Sequence, residues 1–534
     1  MDLFRRGSSP SPSVVPSRGT EGHGDLALSA GRVDTAGHAD AAERAEAAGG
    51  AGPDPALGRM ARLARRHALF AAVLLAAAAA RAMVMLGFPG AMLTPDSADY
   101  VGVALRMQPS LIRPSGYPAM LWLLQPFHSL AAVTGVQHVM GLGIGVAGYA
   151  LLRRIGLPGW GATLAMVPVL LSAYAVQIEH FLLSDTLFAF LVMIAVAAAM
   201  WWPDPPVWAC ALAGLVLAAA TLVRTQGLPL LIVFLTCLLI RFTGWRTIAG
   251  VLVMCVAFAI PVAGYAAWFN SAHGTFRLTA TDGAFLYSRV TTFADCAKIK
   301  PPPAERRLCL NVPVDKRLFS PIYVWTKDSP INAIPGGKFG RLAGRLGTGF
   351  ALRAIRAQPL DYLRAVWLSF WESFLPHQNT KVGTQLEKEG AQLQKDYMFP
   401  AASPGPPPAY ADHYYDAYDP AGADLRAVQP YAGWTRAYQH FVVVYGPLLG
   451  VITLTGLAGI IVAWRRIGGP ALLPWLSGVG LLVAPAAVTN YDPRVVVCAI
   501  APLCVAAAIG AQLIVSAARR QVQAGSARKA AAPA

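Results

Sequence analysis

The chain has 534 residues, 55% of them hydrophobic and only 13% charged, with a mean hydropathy of +0.47. A soluble protein of this length carries roughly a quarter charged residues, so the composition excludes an ordinary soluble domain and selects a polytopic membrane protein. The formal charge of +16 is dispersed, with many Lys and Arg just past apolar runs; topology and anionic lipid account for it, and nucleic acid is not expected as a partner.

Residues 1–65 are rich in Gly, Ala, Ser and Pro without an apolar run, and read as a disordered cytoplasmic tail. The run "ALFAAVLLAAAAARAMVMLGF" follows, and no secretory signal with a small-residue cleavage site precedes it, so it stays as an anchor. About ten apolar spans of ~20 residues follow the same pattern. They centre near Leu75, Gly145, Val167, Val192, Val216, Phe234, Val256, Leu449, Leu481 and Ala507. Basic clusters follow alternate ends: Arg153 and Arg154, Arg241 and Arg246, Arg465 and Arg466, Arg519 and Arg520. With a cytoplasmic N-terminus, every cluster falls inside, as the positive-inside rule asks. The expected order is a membrane module at 66–269 with a first outer loop at 93–135, an extracytoplasmic mixed or α domain at 270–434, and further spans at 435–517. A cytoplasmic tail at 518–534 closes the chain.

Tyr117 to Thr134 is apolar but broken by Pro118, Pro126 and His128. Counting it as a span would reverse the later basic clusters, so it reads as interfacial helix on the outer face. The 270–434 insertion carries the break "KPPPAERR", the amphipathic stretch "DYLRAVWLSFWESF" and the tyrosine-rich "SPGPPPAYADHYYDAYDP". The last could stack sugars or bind a cation, or be a plain surface loop. Five cysteines (Cys210, Cys237, Cys255, Cys498, Cys504) lie in apolar runs as packing residues; Cys296 and Cys309, in an oxidising exterior, are the disulfide candidate. There is no internal repeat and no glycine-rich phosphate loop of the Walker or Rossmann kind.

Ionisable groups gather in the outer connections. "LTPDSADYV" starts a helix: Thr94 at the cap, Pro95 at its first position, an acid in the first turn. Asp96, Asp99 and Tyr100 then share one face. "HFLLSDTLF" places His180 and Asp185 outside, "LVRTQGLPL" places Arg224, and "TNYDPRVVV" places Asp492 and Arg494. Charges at membrane depth are costly and usually face a cavity.

"DSADYVGVALRM", "RPSGYPAMLWLL", "SDTLFAFL" and "GLVLAAATLVRTQGL", in this order and on one side, resemble the GT-C superfamily of membrane glycosyltransferases. The branch they resemble is that of protein O-mannosyltransferases and lipid A aminoarabinose transferases, which take sugar from polyprenyl phosphate. The resemblance covers roughly Arg81 to Trp268; the outer domain and the last spans agree only in layout. It implies an all-α GT-C-like fold and transfer of one hexose or pentose (mannose and arabinose are candidates) to a cell-wall glycan, lipid or protein acceptor, with inversion. It implies Asp96 as catalytic base and Asp185 as the second acidic position. Many relatives have Glu after the first Asp, whereas Ser97 stands here with Asp99 a turn away, so the second acid and metal use stay open. A divalent cation remains a candidate, since two carboxylates orient hydroxyls as readily as they hold a cation.

The residue types suit that chemistry. An acceptor hydroxyl needs a carboxylate to take its proton as the C–O bond forms. A leaving polyprenyl phosphate needs a cation, and Arg offers bidentate donors. Arg224 is the first choice because it opposes the positive-inside bias; Arg494 and Arg113 follow, and Asp99, Tyr100, Tyr117, His180 and Asp492 are further substrate-binding candidates. Each has a bland alternative. Asp96 and Asp185 could simply start helices. Asp99 could be a solvated face, His180 an interfacial hydrogen-bonder, Arg224 a snorkelling cation, and Tyr117 and Trp122 interface anchors. A transporter or flippase of lipid-linked sugars, or an inert glycan-recognising scaffold, is the competing function; transporters tend to show repeats and broken helices at mid-membrane instead. The Ala- and Arg-rich composition points to a GC-rich bacterium and hence a bacterial cell membrane.

Overall fold

The structure is a computed structural model that describes residues 55–241, 244–317, 320–375, 399–400, 409–420, 426–441, 446–464 and 469–530. Most of the expected N-terminal tail, the Arg465–Arg466 pair and the proline-rich start of the tyrosine stretch lie outside these residues. Among the described residues the chain is helical and has no strand; its only β-type pairing is an isolated parallel bridge between Met92 and Phe181.

Apolar helices dominate. α1 is Pro55–Gly87, followed by short α2 (Pro95–Arg106) and α3 (Gly116–Leu124) and by α4 (Leu130–Arg154). α5 (Gly159–Leu171) and α6 (Ala173–His180) meet at a 50° bend. Pro168 weakens the end of α5, and Ser172 stops it by turning extended and accepting the Ala175 N–H to start α6. Next come α7 (Asp185–Met200), α8 (Val207–Val223), α9 (Leu228–Arg241) and α10 (Trp245–His273).

The insertion contributes α11 (Asp282–Val290), α12 (Cys296–Ile299), α13 (Ile322–Trp325), α14 (Arg341–Ala357), α15 (Pro359–Glu372), α16 (Ala409–Tyr418) and α17 (Tyr431–Phe441). It has its own core of Tyr287, Val290, Leu308, Ile331, Phe350 and Ala354. α11 and α14 touch backbone to backbone: a Cβ on Gly283 would meet the Gly344 carbonyl at 2.2 Å, so only glycine allows the approach. Cys296 and Cys309 are disulfide-bonded. The domain expected to be mixed or α therefore has helices and no strand among its described residues. The chain closes with α18 (Gly446–Val462), α19 (Leu472–Val488) and α20 (Arg494–Ala530).

Among the described residues, five helices are long and apolar enough to cross a membrane, six if the bent pair counts as one, and four more apolar helices are shorter. The chain has the helices of a membrane protein. Each of the ten expected span centres falls inside one of these helices. Two expected boundaries move: α1 begins at Pro55, inside the expected tail, and α20 runs to Ala530, past residue 518. Both extensions are Arg- and Ala-rich, and these are strong helix formers that a count of apolar residues does not score. The 113–135 segment holds only short helix before α4 starts at Leu130.

Candidate functional site

The site is built on the strap after α1. Met92 donates its N–H to the His180 carbonyl (3.0 Å), and Leu182 donates to the Met92 carbonyl (2.9 Å). This clamp fixes the start of α2 against the start of α7. Ser97 tightens it: its hydroxyl accepts the Thr94 N–H (2.9 Å) and donates to the Leu182 carbonyl (3.0 Å). Pro95 takes the first helical position, as its fixed φ favours.

Asp96, Asp99 and Tyr100 then share one face, and Arg113 lies across all three. Arg113 Nη2 is 2.6 Å from Asp96, its Nη1 is 3.4 Å from Asp99, and its guanidinium sits 5.3 Å from the centre of the Tyr100 ring. Ser110 donates to Asp99 at 3.0 Å. From the other end of the chain, Arg494 at the start of α20 reaches Asp96 at 3.3 Å and grips Asp492 through Nε and Nη2 at 3.0 and 2.9 Å. Arg224 ends α8 and pairs with Asp185. Tyr100 shares a 2.9 Å hydrogen bond with Ser184, next to Asp185.

Sequence positions near 96, 113, 185, 224 and 494 therefore form one cluster, with three arginines and four carboxylates. Asp96, Arg113 and Arg494 each keep about a fifth to a quarter of the side chain exposed, whereas Asp185 is completely buried. Burial works against ionising Asp96, but the charges of Arg113 and Arg494 override it and hold its carboxyl below the usual carboxylate range. Asp492 is held low in the same way by Arg494. Burial keeps the Tyr100 hydroxyl neutral.

Some expected roles change. Asp185, expected as the second catalytic acid, is completely buried and is the counter-charge that fixes Arg224. Tyr117 is fully buried and is neither anchor nor ligand contact: it stands edge-on behind Tyr100, ring centres 4.8 Å apart, and donates to Gln137. Trp122 is half exposed, as an interface residue would be. His180 is fully buried and belongs to a second network. The tyrosine-rich stretch is not a loop where described: α16 lays Tyr414 on Arg106, and Tyr418 donates to the Leu121 carbonyl (2.6 Å).

That second network was not expected. Arg81 Nε and Nη2 hold both Glu179 oxygens at 2.7 Å, while Nη1 donates to the Ala77 and Leu170 carbonyls. His138 lies 2.9 Å from Glu179 and 3.2 Å from His180, whose other ring nitrogen faces the Phe88 carbonyl at 2.8 Å. Gln137 donates to the Glu179 and Phe181 carbonyls. Gly141 makes room for the carboxylate, since a Cβ there would lie 1.9 Å from it. The network ties α1, α4 and α6 together beneath the clamp that positions Asp96. Its sequence signal was an arginine and a glutamate inside apolar runs, costly unless paired.

Among the described residues no group of three or more His, Cys, Asp or Glu could hold a metal ion. The acids of the cluster face guanidinium groups instead, so the donor set does not fit a resident cation. No family model, curated protein or solved structure matches the chain.

Proposed function

We propose that the chain is a GT-C-like membrane glycosyltransferase with about ten spans, both termini cytoplasmic and the cluster extracytoplasmic. It moves one sugar from a polyprenyl-phosphate donor to an acceptor hydroxyl. The observation that carries this reading is the convergence of Asp96 with Arg113, Arg494 and Arg224 from connections far apart in the chain.

The chemistry follows from how the charges are shared. Asp96 is ionised in the neutral range and able to accept a proton, but its two ion pairs make it a weak base. A donor phosphate competes for Arg113 and Arg494, because each offers planar donors that match phosphate oxygens. As a guanidinium turns to the phosphate, Asp96 loses part of its stabilising charge and its basicity rises. The base is thus strengthened only when donor is bound, and the same arginines stabilise the leaving phosphate. Arg224 is held by buried Asp185 and contributes a fixed positive charge behind them. Tyr100 and Asp99 orient Arg113.

Purified protein given a radiolabelled polyprenyl-phosphate sugar and cell-envelope acceptors should transfer label. Asp96→Asn should lower the rate about 10²- to 10⁴-fold, the usual contribution of a positioned base. Undiminished transfer by the variant would remove Asp96 from the role. Label crossing a vesicle bilayer without bond transfer would identify a transporter instead.

A further inference from the structure

A buried guanidinium of the insertion has two of its three nitrogens without a partner. Arg289, in α11, is 2% exposed and is among the largest fully buried side chains. Its Nη1 donates to Asn490 Oδ1 at 3.2 Å. Its Nε and Nη2 have no hydrogen-bond partner, and neither does Asn490 Nδ2. The Asn490 orientation is fixed by chemistry: its Oδ1 accepts from Arg289 and sits 2.5 Å from the Ser369 hydroxyl, and a flipped amide would set N–H against the guanidinium. The free donors are therefore real features of this arrangement.

Nε and Nη2 form one side-on edge of the guanidinium, the edge that matches two oxygens of a single carboxylate or phosphate. The same protein shows that edge satisfied: Arg81 uses Nε and Nη2 to hold both oxygens of Glu179. Burial pulls Arg289 down to about 10, with Tyr362 and Glu372 opposing it, so the group stays cationic at neutral pH. Glu372 contributes charge nearby but does not occupy the edge. An uncompensated buried donor set of this size is costly.

We propose that Arg289 and Asn490 form a binding site for an oxyanion, a carboxylate or phosphate group that presents two oxygens to the free guanidinium edge. Asn490 is two residues from Asp492, so the site shares the connection between α19 and α20 with one member of the Asp96 cluster. The inference does not depend on sugar transfer. The anion is either free in solution or the phosphodiester of a lipid headgroup; both offer the same pair of oxygens.

The test is thermal unfolding of the full-length protein in detergent, titrated with inorganic phosphate or acetate against chloride at equal ionic strength. Wild-type protein should show saturable stabilisation by phosphate and acetate. Arg289→Gln should raise the midpoint at least tenfold. Asn490→Asp should do the same by supplying a carboxylate from within, and it serves if the first variant does not fold. Arg356→Gln, at an exposed arginine of α14, should leave the midpoint unchanged. Nanodiscs of phosphatidylglycerol should reproduce the stabilisation without added anion if the source is lipid, and should not if it is free anion. No saturable effect in wild type, meaning water alone fills the site, would overturn the proposal. So would equal midpoints in wild type, Arg289→Gln and Asn490→Asp, or loss of the effect in Arg356→Gln.

Discussion

The arginine–carboxylate pairs Arg81–Glu179 and Arg113–Asp96 are built in opposite ways. Arg81 and Glu179 are both nearly inaccessible, every oxygen of the carboxylate is matched, and His138 closes the remaining side. Arg113 and Asp96 are partly open, and each is shared: Arg113 with Asp99, Asp96 with Arg494. A sealed pair has one low-energy arrangement and behaves as structure. A shared, accessible pair can exchange partners when an anion arrives, which is what a reacting site needs. The contrast separates a pair fixed by burial from one free to exchange partners, the property the proposed reaction requires.

Breaking the sealed pair should have the largest effect on stability. Glu179→Ala leaves Arg81 buried and uncompensated, a change that typically costs about 3–5 kcal/mol. Denaturant unfolding in detergent should show that loss, whereas Asp96→Asn should change stability far less while lowering the proposed transfer about 10²- to 10⁴-fold. Equal destabilisation by the two variants would erase the distinction. Opening the Cys296–Cys309 bond comes next. The cysteines are 13 residues apart, and chain entropy gives about 3 kcal/mol for a loop of that size. The loss should be confined to the insertion, and limited proteolysis under reducing conditions should cut there before the membrane helices.

Acid should act on the open cluster. Asp96 and Asp492 titrate below their ordinary 3.8 in the folded protein. Their contribution is therefore complete above that unfolded value and is lost as pH falls through the lower folded values. Stability measured from pH 6 downward should decline at the acid end, and the decline should be shallower in Asp96→Asn. An identical acid limb in the variant would mean that the ion pairs to Arg113 and Arg494 carry no stability.

Much of the cluster was legible in the chain because each member stands out locally. Asp96 opens a helix, Arg224 opposes the charge bias of span ends, and Asp492 and Arg494 sit two apart in an apolar neighbourhood. The pairing was not legible, since Arg494 and Asp96 are 398 residues apart and no local pattern records that contact. Asp185 and His180 were visible as polar groups at a helix junction, but which way they turn is decided elsewhere: Asp185 by Arg224 at the end of α8, His180 by His138 of α4 and the Phe88 carbonyl. Arg81 and Glu179 went unassigned because an apolar run hides a charge whose partner lies 98 residues away. Arg289 was missed for a related reason: its burial comes from packing of the insertion against residue 490, outside any periodic pattern.

The smallest expected effect concerns Ser97, where many members of the resembled family carry a second acid. Here the hydroxyl is fully buried and bridges Thr94 to the Leu182 carbonyl. The side chain at this position points into the clamp, away from Arg113. Ser97→Ala should cost about 1 kcal/mol, the net worth of a typical hydrogen bond, with transfer reduced only as far as Asp96 becomes less well held. Ser97→Glu tests the geometry more sharply. A carboxylate there faces the Leu182 carbonyl in a buried gap sized for a hydroxyl, so it should destabilise the strap by more than the alanine change. If Ser97→Glu proved stable and raised the transfer rate, the side chain would have to face the cluster. The second acid would then belong at 97, with Asp99 serving only to hold Arg113.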